Sequence, residues 1–208
     1  MSCALAELAA QQRPLDFSRY AMLHRDGRAL IEGWLKRAQA ADDEFESFIY
    51  LWIAVNGWAA CVTESDADRE WQRALIAEPT LNDRFRQLAH DPATRTAPTA
   101  REFHRLWPIF RVAELRQRGL DYRTHDDRDR DEAKRAYFAG GARQFEPRCY
   151  REHDDVPLDW GHTLVSLYRV RCNLFHGEKA RSSESDQAVV SAAFATLLAF
   201  VDEGGLMR

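Results

Sequence analysis

"RVRCNLFHGEK", residues 169–179, is the end of an apolar helical pattern that stops at a glycine. In its last turns Arg171, Asn173 and His176 stand where the pattern asks for leucine. On a wheel of 3.6 residues per turn with Leu164 at zero, Leu167, Tyr168, Leu174 and Phe175 fall within about 80° of that direction, and Arg171 falls among them. A guanidinium stays charged in a protein, and burying it unpaired costs several kcal/mol. Either Arg171 pairs with an acid, or its face of the helix opens into a polar cleft. His176 lies about 140° round the wheel from Arg171, and Asn173 is closer to it. Gly177 can take the left-handed cap conformation, so the helix is predicted to end there.

Working outward, the helical period recurs throughout and strand signals are nearly absent. Helices are predicted over about 17–39, from the "ADDE" start through "FESFIYLWIAVNGWAACV", across the polar section 64–90, over 158–176 and over 186–203. "DPATRTAPT" reads as a loop, and "AREFHRLWPIFRVAELRQRG" as a helix interrupted at Pro108. "LDYRTHDDRDRDEAKRA" is a charge run leading into a short helix over 130–142 that Gly140 and Gly141 close. The expected fold is an all-α, up-and-down bundle. It is a single domain over 1–208, with 64–157 as an insertion within it.

The second helix repeats the puzzle. Phe45, Phe48, Ile49, Trp52 and Ile53 form a stripe that Asn56 continues, while Leu51, Val55 and Trp58 make the opposite side apolar too. A helix apolar nearly all round lies at the centre of a bundle or at a subunit contact. Asn56 either ties two helices together or faces the cleft that Arg171 faces.

Composition narrows the function. The net charge is −4, so any phosphate site must be local rather than a basic surface. Three lysines stand among 29 basic residues; the rest are arginines, whose planar fork suits phosphate. Four cysteines without a C-x-x-C pair indicate neither a zinc site nor a disulfide framework, and a reduced, cytosolic setting fits. The first residues lack the pattern of a signal peptide, and no apolar run is expected to span a membrane. "HDD" occurs at 125–127 and 153–155, in charged segments and at a spacing that matches no metal site, so no metal or other cofactor is expected.

Arg171-x4-His176, set as "RCNLFHG", resembles the R-x(4–6)-H motif of the HEPN superfamily, closest to branches reading R-N-N-L-F-H-G. "FIYLWIAVNGW" resembles the first core helix of those branches, and the likeness covers residues 43–62 and 158–203. The resemblance implies an all-α bundle that forms a two-fold dimer. It also implies a metal-independent endoribonuclease of the kind used as a toxin of toxin–antitoxin or antiviral defence systems, with an antitoxin or defence-system protein as partner. The catalytic pair carries over onto Arg171 and His176, with Asn173 and Asn56 in support. Cys172 departs from the polar residue that often follows the arginine. Glu178 stands where one branch has a tyrosine. Arg169-x6-His176 satisfies the loose motif as well, and Arg169, Lys179 and Arg181 are candidates to hold substrate phosphate.

These residue types suit RNA cleavage. The 2′-hydroxyl is a built-in nucleophile, a histidine can move its proton, and an arginine can offset charge on the phosphate. A two-fold contact would bring two Arg–His pairs into one cleft. The competing expectation is a non-catalytic interaction module that binds a partner protein or a nucleotide, in keeping with Cys172 and the acidic net charge.

Overall fold

The computed structural model describes residues 15–107, 109, 157–177 and 183–207. Among them are eight α-helices and no strand, so the all-α expectation is met. They are α1 (Ser18–Met22), α2 (Arg25–Ala40), α3 (Glu44–Thr63), α4 (Asp68–Ala77), α5 (Pro79–His90), α6 (Thr96–Arg105), α7 (Trp160–Phe175) and α8 (Glu184–Gly204).

Local chemistry sets most boundaries. Asp43, Asp159 and Ser183 cap α3, α7 and α8 by accepting from the N–H groups of Glu46, His162 and Asp186. Three expectations are corrected. The helix predicted over 17–39 is broken: His24 turns extended at φ −50°, ψ 140°, and its ring Nδ1 accepts from the Asp26 N–H to start α2. The section 64–90 is two helices, because Pro79 pushes Glu78 out of helical geometry (φ −74°, ψ 112°) and then opens α5 as its first residue. The loop predicted at "DPATRTAPT" already contains the start of α6, whose first turn tolerates Pro98 because its N–H would be unpaired there anyway.

The core gathers around α3. Phe48, Leu51, Trp52, Val55, Trp58 and Ala59 of this helix are fully or almost fully buried. Each large apolar side chain removed from water contributes roughly 1.5–3 kcal/mol. The helix is flanked by α2, α8, α4 and α1. Trp34 of α2 stacks on Tyr50, and Phe17, just before α1, on Trp58. A second aromatic cluster joins Phe85 of α5, Trp160 of α7 and Phe200 of α8. Within the region read as an insertion, α4, α5 and α6 pack into this same core against α3, α7 and α8. Contrary to expectation, α3 and α8 are long and apolar enough to cross a membrane by length and composition, but both are core helices here, with 56% and 50% of those stretches buried.

The charge run, Gly140 and Gly141, both "HDD" triplets, Lys179 and Arg181 lie outside the described residues.

Candidate functional site

The end of α7 is built as its sequence asks. The His176 N–H donates to the Cys172 carbonyl and the Gly177 N–H to that of Leu174, each at 3.1 Å. Gly177 takes φ +68°, the left-handed conformation that a side chain would oppose, and so stops the helix. His176 is thereby left exposed, one residue beyond the helix.

Arg171 resolves the choice its sequence left open. Its Nη1 lies 3.6 Å from Asp68 Oδ2, in the first turn of α4, and its side chain is 23% exposed. This is a loose ion pair on a partly wet surface, worth up to about 1 kcal/mol. The guanidinium carbon also sits 4.6 Å from the ring centroid of Phe175 and 5.7 Å from that of Tyr168. Such stacking adds about 0.5–1 kcal/mol at exposed sites. Arg171 Nε is buried with no hydrogen-bond acceptor. The cation is therefore held by one carboxylate at its edge and two rings at its faces, with part of its donor fork unused.

Asp68 is the hub of this corner. Trp71 Nε1 donates to its Oδ1 at 3.3 Å and the Tyr168 hydroxyl to its Oδ2 at 3.4 Å. Burial, helped by Cys172 and Asp68 and opposed by Arg171, pushes the Tyr168 hydroxyl up to about 12, so it remains a neutral donor at physiological pH. Tyr168 and Trp71 both pack on Trp52 of α3. The motif helix is thus joined to the central helix through aromatic rings.

The remaining candidates fall in different places. Asn173 is buried (3% exposed) and Arg169 nearly so (4%), and both are engaged within the fold. Asn173 was expected to support the catalytic pair and Arg169 to hold substrate phosphate; both side chains are turned away from solvent. Arg171, by contrast, is partly exposed and reaches Asp68 at the start of α4. Asn56 is half-buried, one turn along α3 from Trp52, and its amide has no partner among the described residues. It shares its side of α3 with Ile49, Ile53 and Ala60, all only partly buried. Sequence reasoning missed Asp68 and Phe175. The first is an acid at a helix start, which periodicity reads as an ordinary solvated residue. The second is an apolar residue that the wheel assigns to the core.

Compared with known protein families, with curated proteins and with solved structures, the chain matches none.

Proposed function

We propose that the protein is a metal-independent endoribonuclease of HEPN type that works as a toxin or antiviral effector. The observation that carries this reading is a partly exposed arginine cation in the last turns of a capped helix whose C-cap is an exposed histidine. Arg171 would receive the scissile phosphate, exchanging its loose contact with Asp68 for a charge-assisted one. His176 would take the proton of the 2′-hydroxyl. The 2′-oxygen then bonds to phosphorus, the 5′-oxygen leaves and is protonated, and the ends are a 2′,3′-cyclic phosphate and a 5′-hydroxyl. One pair per chain is few groups for both proton transfers. A two-fold dimer through the half-buried side of α3, where Asn56 lies, would supply a second pair. Cleavage of an RNA pool in EDTA by the purified chain tests the reading, with R171A and H176A as controls.

A second reading is favoured by one observation: Asp68 already pairs with Arg171. In a non-catalytic interaction module that ion pair would be a permanent fixture. D68N separates the two. It frees Arg171 for phosphate in the enzyme and leaves an inert module inert.

A further inference from the structure

Among the described residues three large apolar side chains are exposed: Met22, Leu30 and Phe175. Phe175 is the aromatic one, 52% exposed, and it lies between Arg171 and His176 on the chain. The rest of α7 is buried along most of its length, so an aromatic ring left half in water at its end stands apart. The ring is also braced. The Arg171 guanidinium lies 4.6 Å from its centroid and is in turn held by Asp68 and by Tyr168. A ring backed by a guanidinium is a surface whose remaining area meets solvent.

Resting on the ribonuclease reading, we infer that Phe175 is a stacking platform for an unpaired base next to the phosphate that Arg171 receives, so that the substrate is single-stranded RNA. Every nucleotide carries a flat π-face and a phosphate within reach of each other. A contiguous ring and guanidinium offer one surface to each. Base–aromatic stacking tolerates any base, so this contact selects for single-strandedness more than for sequence. A base inside a duplex has both faces covered by its neighbours and cannot lie on the ring. Arg171 has two functions in this arrangement: it binds phosphate, and it holds the platform flat. Phe175 is accordingly a specificity residue and not a proton-transfer group.

The test measures binding apart from cleavage. Short 2′-O-methyl RNA lacks the nucleophile and is not cut. Its affinity for the full-length chain is compared with that of the same strand carrying abasic residues, and with that of the strand in a duplex. The wild type is expected to prefer the base-bearing single strand over the other two. F175A should weaken that strand about ten-fold, within the range for loss of one stacked base, and leave the abasic strand unchanged. F175Y should restore the preference, and thermal melting checks that each variant is folded. Equal binding of base-bearing and abasic strands by the wild type, or equal weakening of both by F175A, overturns the platform. So does an F175A variant that binds the base-bearing strand like wild type. Cleavage of unmodified RNA is read separately. Base-dependent binding without cutting would remove the ribonuclease and keep the platform; cutting that F175A leaves unchanged, with no loss of base preference, would do the reverse.

Discussion

At the scale of single residues the corner around Arg171 is a balance of weak terms. Its ion pair with Asp68 is loose and both partners are partly exposed. The acid nonetheless also receives the Tyr168 hydroxyl and the Trp71 indole. Asp68→Ala strands two donors and a half-buried cation together, and should cost roughly 1–2 kcal/mol in urea unfolding. Arg171→Ala removes the cation itself and should cost less, because Asp68 keeps its other two partners. If R171A unfolded more readily than D68A, Arg171 would be a structural residue and the site would lose its rationale. The wheel identified Arg171 as anomalous and named its two possible fates. It could not name Asp68, because that pairing depends on where α4 is brought by the aromatic contacts among Trp52, Trp71 and Tyr168.

At the scale of elements, helices with local start and stop signals were legible and those fixed from a distance were not. The Asp43, Asp159 and Ser183 caps and the glycine after His176 are written beside the helices they bound. The start of α6 is not: Glu203, near the end of α8, accepts from the Arg95 and Thr96 N–H groups at 2.8 and 2.9 Å and from the Thr96 hydroxyl at 2.7 Å. Burial alone would raise its carboxyl, but those donors and the Arg95 cation outweigh it and hold it below the usual carboxylate range. A depressed pKa means stabilisation that is present above the ordinary carboxylate range and lost as pH falls through the folded value. Glu203→Gln should therefore lower stability by about 1 kcal/mol at neutral pH, as loss of a cap does. The gap to wild type should close in acid, as followed by thermal melting across pH; a gap independent of pH would mean that the ionised cap contributes nothing. The α2–α3 contact makes a separate prediction. A Cβ on Gly57 would meet Ile31 Cγ1 at 3.0 Å and Cδ1 at 3.3 Å. Alanine there gains up to about 1 kcal/mol of helix propensity but overpacks the contact at about 1–3 kcal/mol. The net expectation for G57A is a less stable protein with α2 displaced, read by chemical denaturation. A more stable G57A would show that α2 can yield at no cost.

At the scale of the whole molecule, the helices of 68–105 share one core with those that carry the motif, so the site's geometry depends on a region whose role the sequence left unplaced. Periodicity shows that a helix has an apolar face without saying which neighbour covers it. This is why the all-α class was legible, while the seating of α4 against the motif helix was not. The half-buried side of α3 bearing Ile49, Ile53, Asn56 and Ala60 is where the proposed dimer would form. Light scattering on Asn56→Arg should then show a shift from dimer to monomer, and an unshifted mass would place the contact elsewhere. The central claim is that Arg171 and His176 cleave RNA, and its most direct measurement is cleavage of total RNA by the purified chain in EDTA. The account predicts cleavage by the wild type with cyclic-phosphate ends, and a fall of at least about a hundred-fold in folded R171A and H176A. Wild-type protein that leaves all RNA intact, or variants that cut as well as the wild type, would contradict it.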